Sequence, residues 1–159
     1  MPDGRPLTTV RRLVQALRPV DVVTGPHPQF PTDVQPQMAA LLTQADGASC
    51  VTERVYASRV THVRELGRLG LRVGVEGSRQ HVPGRQRAHG GHALVHDIRC
   101  GAALLVAAAA ADEPVLLHDP AGHLARGYGN LRVKLAQVGM DLTDHRPWLH
   151  TSHHSSRAV

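Results

Sequence analysis

Two aspartates, Asp33 and Asp97, stand 64 residues apart, each at the head of a segment with helical periodicity. Two glycines, Gly70 and Gly139, stand 69 residues apart, each just behind a second such segment. Glycine in that position is a stop signal, because it takes the left-handed conformation that closes a helix at no cost to a side chain. The chain therefore carries an internal repeat of strand, helix, strand, helix, strand. In the first copy the spacing predicts strands at 20–23, 49–56 and 71–75 and helices at 34–45 and 59–69. In the second it predicts strands at 92–96, 115–118 and 140–142 and helices at 97–111 and 128–138. The polar stretch 77–91, rich in Gly, Arg and His, reads as a hairpin or loop. Units this small bury their apolar helix faces only by sharing a core, so the expected class is α/β (α+β), with helices packed inward beneath their sheets.

Within the helices, Met38, Leu41 and Leu42 fall on one face of the first, and Val60, Val63, Leu66 and Leu69 on one face of the second. At 159 residues the chain has room for one domain with a substantial core. Only 3% of it is aromatic, so that core is expected to be Val, Leu and Ala. The layout that follows is an N-terminal remnant of a preceding unit at 1–19, a two-repeat body at 20–142 (20–77 and 92–142), and a disordered polar tail at 143–159. The remnant rests on Val10, Leu13, Val14 and Leu17 at helical spacing.

Several function classes are set aside by composition. The longest apolar run, 100–111, has 12 residues, short of the roughly 18 that span a bilayer, and reads as a buried helix. Residues 1–5 carry one positive side chain with no apolar segment and cleavage site behind it, so a cytoplasmic location is expected. Cys50 and Cys100 are isolated from each other and read as small core residues. The formal charge of +5 and pI near 10.2 fit a nucleic-acid partner. Against it, the arginines are scattered and no aromatic ladder accompanies them. His150, His153 and His154 have the spacing of metal ligands but no neighbouring Cys or acid, and no metal or cofactor is expected.

Chemistry centres on the loop 24–37. Pro26, Pro28 and Pro31 fix φ at three positions and hold the residues before them extended, so Asp33 is presented in one geometry. The competing reading is that Thr32 or Asp33 merely caps the helix behind it, and the same reading is open for Asp97.

The segment Pro26-His27-Pro28-Gln29-Phe30-Pro31-Thr32-Asp33-Val34-Gln35 resembles the Pro-Tyr-Pro-Gly-Phe-Pro-Thr-Asp-Leu-Gln signature of the UDP-N-acetylglucosamine 1-carboxyvinyltransferases, members of the enolpyruvyl transferase superfamily. Thr52-Glu53-Arg54-Val55-Tyr56-Ala57-Ser58-Arg59-Val60-Thr61-His62-Val63 is similar to that family's Thr-Glu-Thr-Val-Phe-Glu-Asn-Arg-Phe-Met-His-Val. His123-Leu124-Ala125-Arg126-Gly127-Tyr128 is similar to its His-Ile-Asp-Arg-Gly-Tyr. The resemblance runs over 20–142, corresponds to the C-terminal part of the family's chain, and departs from it at His27, Ala57, Ser58, Arg64 and Ala125.

The resemblance implies repeated βαβαββ units with buried helices, forming part of one lobe of the family's inside-out α/β barrel. It implies a reaction in which the enolpyruvyl group of phosphoenolpyruvate passes to the 3-hydroxyl of UDP-N-acetylglucosamine with release of phosphate, a step of peptidoglycan synthesis. Asp33 would then be the base at that hydroxyl. The main chain at Val55 would meet the nucleotide sugar, and Arg59, Arg99 and Arg126 the anionic groups, for which planar guanidinium forks are suited. The family's other lobe supplies a mobile loop with a general acid and a lysine that grips phosphoenolpyruvate, and neither has a counterpart here. Alone, the chain is expected to be inactive and to need a complementary lobe. The alternatives are a noncatalytic nucleotide-sugar or anion binding module and a basic nucleic-acid binder.

Overall fold

The computed structural model describes residues 16–143. Most of the N-terminal remnant expected at 1–19, all but the first residue of the polar tail, and His150, His153 and His154 lie outside them.

The first unit runs β1 (Val22–Val23), a 3-10 turn (Thr32–Val34), α1 (Gln35–Leu42), β2 (Ser49–Thr52), α2 (Thr61–Arg68), β3 (Gly74–Glu76) and β4 (Arg79–Val82). Its sheet has the order β1-β2-β4-β3, with β1 parallel to β2 and the other pairs antiparallel. The stretch after 77 thus returns as the second arm of a hairpin, and the first sheet extends beyond the boundary expected at 77. The second unit is β5 (Gly91–Leu94), α3 (Ile98–Ala108), β6 (Val115–His118), α4 (His123–Gly127) and α5 (Leu131–Gln137), with β5 and β6 parallel.

The repeat is visible in how the helices end. Behind α1, Ala45 bridges Leu17, and behind α3, Ala111 bridges Ala88. The next residues, Asp46 and Asp112, donate their N–H to the Leu17 and Ala88 carbonyls at 2.8 and 3.3 Å. Helices α2 and α5 stop at Gly70 (φ 79°) and Gly139 (φ 82°). Leu71 N–H then reaches the Leu66 carbonyl at 3.1 Å and Met140 N–H the Leu135 carbonyl at 3.0 Å, using carbonyls the helix leaves without a partner.

Helix α3 is the centre. Its buried residues Cys100, Gly101, Ala103, Leu104, Leu105 and Ala107 cover more than one face, as expected of the 100–111 run. Both α1 and α2 pack on it, and Leu66, Leu69 and Leu71 of the first unit join Ala93, Val95 and Leu104 of the second in one core. A smaller cluster of Val22, Leu42, Ala45, Val51 and Val82 lies under the first sheet. Among the described residues no Phe, Tyr or Trp belongs to the buried core.

Several expectations are corrected. Leu41 is 41% exposed, and α1 instead buries Gln35, Ala39, Ala40 and Leu42, because small residues let it approach α3 closely. In α2, Val60 and Val63 are half-buried, whereas His62 and Glu65 are fully inside. Both have partners there: His62 Nε2 lies 3.1 Å from Gln80 Oε1, and Glu65 Oε2 accepts Leu94 N–H at 2.8 Å. Residues 140–142 form no strand and have no strand partner among the described residues. The last helix starts at Leu131, later than expected, and is preceded by the unforeseen α4. Asp119 initiates α4 by accepting the His123 and Leu124 N–H groups, each at 2.9 Å. A Cβ at Gly101 would meet Leu124 Cδ2 at 2.8 Å and one at Gly127 would run into Ile98, so glycines allow α4 to lie against the start of α3. Cys100 is buried as expected, with its thiol pushed up to about 11 by that burial, whereas Cys50 is only half-buried. Among the described residues no helix is long and apolar enough to cross a membrane.

Candidate functional site

Strand β2 ends at Thr52, short of the predicted 56, because the next side chain turns the backbone. Glu53 Oε1 accepts the N–H groups of Val55 (2.8 Å) and Tyr56 (2.9 Å) and the Thr24 hydroxyl (2.7 Å). Its Oε2 accepts the Thr32 hydroxyl at 2.9 Å, and Thr24 Oγ1 in turn accepts Arg54 N–H at 2.9 Å. Burial by itself would raise the Glu53 carboxyl. The bonds from Tyr56, Thr24, Val55 and Thr32 outweigh it and hold the group below its ordinary value, so it is ionised although only 2% exposed. One buried carboxylate thus ties the two ends of the proline loop to the turn after β2.

That tie places Asp33 beside Val55. Asp33 does not cap a helix: neither the 3-10 turn nor α1 has a side-chain cap. Instead Asp33 Oδ1 accepts Arg99 Nε at 2.6 Å and Arg59 Nη1 at 2.8 Å. The hydrogen bond from Arg99, then that from Arg59, lower its pKa to about 2. Arg59 is held from three sides. Its Nη1 also donates to the Thr32 carbonyl at 2.6 Å, its guanidinium lies 5.3 Å from the centre of the Tyr56 ring, and Gln80 Nε2 donates to its carbonyl at 3.3 Å. Arg99 stands in the first turn of α3, which Asp97 caps by accepting Arg99 N–H at 2.8 Å and Cys100 N–H at 3.0 Å. The cap sets the direction in which Arg99 leaves the helix, and Asp33 raises its pKa by accepting its hydrogen bond.

Asp33, Val55, Thr32, Pro31, Pro26 and Gly25 line an open groove of about 260 Å³. Val55 is 51% exposed and its N–H is taken by Glu53, so the backbone group it has left to offer a ligand is its carbonyl. The structure therefore brings together four of the five residues singled out: Asp33, Val55, Arg59 and Arg99. Arg126 makes no hydrogen bond to these four, although Gly127 beside it packs on Ile98, the neighbour of Arg99. It bonds within its own turn, Nε to the Gly122 carbonyl at 3.4 Å and Nη2 to His123 Nδ1 at 3.2 Å. Sequence reasoning passed over Glu53, Thr24 and Gln80, the partner that holds His62 behind Arg59. Glu53 lay inside the matched segment two residues before Val55, yet nothing in the sequence marks an acid after a strand as buried.

A two-unit α/β body with this loop and these arginines has known relatives. A family model described as EPSP synthase (3-phosphoshikimate 1-carboxyvinyltransferase) matches residues 5–135. The chain belongs to the EPSP synthase family. Within that family it is 44% identical over 137 residues to a UDP-N-acetylglucosamine 1-carboxyvinyltransferase of Anaeromyxobacter sp. (strain Fw109-5), an alignment covering 86% of this chain and 30% of that one. It is 40% identical over 123 residues to the enzyme of the same name from Bartonella quintana (strain Toulouse), covering 77% and 28%. The fold is similar to the enolpyruvyl transferase NikO from Streptomyces tendae, with a TM-score of 0.71, 34% identity, and coverage of 80% of this chain and 30% of that one. The chain thus spans about 30% of the length of these EPSP synthase family relatives.

Proposed function

We propose that this chain provides two βαβαββ-type units of an enolpyruvyl transferase lobe, acting on UDP-N-acetylglucosamine and phosphoenolpyruvate. In this reading Asp33 takes the proton of the acceptor hydroxyl, the Val55 carbonyl meets the nucleotide sugar, and Arg59, Arg99 and Arg126 bind carboxylate and phosphate oxygens. The observation that carries it is the pairing of Asp33 with Arg59 and Arg99 on the rim of the Val55 groove, an acid and two anion-binding forks from both units converging on one opening.

The pairing also implies an order of events. Both arginines bond Oδ1, and no hydrogen bond is made to Oδ2 among the described residues, so Oδ2 is the oxygen open to a substrate hydroxyl. At a pKa of about 2 the carboxylate is a poor base. An anion that engages Arg99 and Arg59 removes the causes of that depression, so binding of the anionic substrate is what makes Asp33 basic. An open groove does not enclose two substrates, and enclosure is what aligns reacting atoms and excludes water. The chain by itself is therefore proposed to bind without turning over.

Calorimetric titration of UDP-N-acetylglucosamine into the chain, beside Asp33→Ala, tests the binding role. Heat that saturates in the parent and vanishes in the variant supports it; a folded parent that takes up no nucleotide sugar removes it. Steady release of phosphate from phosphoenolpyruvate by the isolated chain would overturn the claim of inactivity.

A further inference from the structure

The outer face of the second unit carries a feature unconnected with the groove. His92 on β5 and His118 on β6 approach with Nδ1 and Nε2 2.8 Å apart. In the register of the pair His92 stands opposite Leu116, and Leu94 opposite His118, so the two imidazoles sit diagonally on the face away from buried Ala93. Their ring centres are 5.1 Å apart with 18° between planes. The centre separation exceeds the nitrogen separation by about the width of one ring, so the rings meet edge to edge in nearly one plane. Two ring nitrogens then face each other across a single N–H···N bond, and both rings are exposed to solvent.

Two imidazoles fixed at this spacing by adjacent strands are a chelating pair. Metal–imidazole bonds of about 2.0–2.1 Å place cis ligands of a tetragonal ion about 2.9 Å apart, and ligands of a tetrahedral ion about 3.3 Å apart. The observed 2.8 Å matches the cis spacing. The in-line rings would each have to turn by roughly 45° for their lone pairs to converge on one ion, and exposure permits that turn. No third His, Cys, Asp or Glu completes the set among the described residues, so solvent would fill the remaining positions. The sheet here has only two strands, so an ion bound to both would act as a crosslink between them.

We propose that His92 and His118 form a bidentate site for a divalent transition-metal ion of tetragonal preference, Cu(II) or Ni(II), which clamps β5 to β6.

The probe is Ni(II), since Cu(II) oxidises thiols and Cys50 is half-buried. The full chain is used with His145, His150, His153 and His154 changed to Ala, to remove competing ligands near the C-terminus. An ion stabilises only to the extent that it binds the folded state more tightly than the unfolded one. The expected result is a melting temperature raised by several degrees, an effect lost in His92→Asn and in His118→Asn, both exposed positions whose replacement leaves the fold intact. An unshifted parent, or variants that shift as far as the parent, overturns the proposal. A second measurement does not depend on melting: at substoichiometric Ni(II), paramagnetic broadening is expected first in the imidazole signals of His92 and His118. Broadening that spares these two and falls on other histidines overturns it equally.

Discussion

Asp33 shares one oxygen between Arg99 and Arg59, and its pKa near 2 follows from that sharing. Saturating inorganic phosphate should compete for the guanidiniums and move the Asp33 carboxyl upward toward its ordinary value, read from its carbon-13 shift against pH. An unmoved titration would mean that phosphate does not displace the arginines. The ion pairs themselves hold little of the fold: Asp33 is 59% exposed, and exposed pairs are worth about 0.2–1 kcal/mol each, so with its two pairs Asp33→Ala should cost about 2 kcal/mol or less. Glu53 is the opposite case. Removing it leaves the Val55 and Tyr56 N–H groups and the Thr24 and Thr32 hydroxyls without their acceptor. With charge-assisted bonds worth about 1.5–3 kcal/mol and a penalty for each buried donor left unmade, Glu53→Ala should cost about 3 kcal/mol in urea unfolding. A loss under about 1 kcal/mol would mean that water replaces the carboxylate. The site is thus expected to have a replaceable reacting group on a support that tolerates no replacement.

At the scale of elements, the two helix-ending glycines allow a controlled comparison. Gly70 and Gly139 share their conformation and their hydrogen bonds, so Ala should pay the same left-handed strain at both, about 1 kcal/mol. Their surroundings differ. A Cβ at Gly139 meets nothing within 4 Å, whereas one at Gly70 runs into the His89 ring. Gly139→Ala should therefore cost about 1 kcal/mol and Gly70→Ala clearly more, measured by thermal unfolding; equal losses would show that His89 swings away freely. These glycines also mark what was legible in the sequence. Helix stops and the apolar α3 run are local signals, and both are found where expected. The buried face of α2 was legible only in part: Leu66 and Leu69 are buried as expected, but His62 and Glu65 are inside only by virtue of Gln80 and β5, partners 18 and 29 residues away. The absence of a strand at 140–142 was not legible, since alternation of apolar residues makes a strand only when a neighbouring strand is present to pair with it. α4 was missed because its five residues are too few for a period, and the Asp119 bonds that start it depend on backbone geometry. In the site, Asp33 and Arg59 lay in recognisable segments, but the reach of Arg99 to Asp33 across 66 residues depends on α3 lying beside α1.

On the scale of the whole molecule, one core serves both units, and a titratable group inside it affects the stability of both. His62 is fully buried behind Arg59, and burial lowers its pKa from 6.5 to about 4, against a smaller upward effect of Gln80. Below pH 6.5 the unfolded chain therefore binds a proton that the folded chain refuses, so stability falls as pH drops from about 6.5 to about 4 and this contribution then levels off. At 1.36 kcal/mol per unit the loss is up to about 3 kcal/mol. The carboxylates of Glu53, Glu65, Asp97 and Asp33 are all held below their ordinary values, so they stabilise the fold above those values and lose that effect as the pH falls further. Two losses should thus follow one another, a histidine phase and then a carboxylate phase. Urea unfolding at steps between pH 7 and pH 3 separates them with His62→Gln, whose amide is able to keep the donor to Gln80 and has no proton to gain. The variant is expected to hold its stability down to about pH 4.5 and then to fall with the parent. If parent and variant decline in parallel from pH 6.5, the neutral imidazole at the shared core is not the source of the first phase.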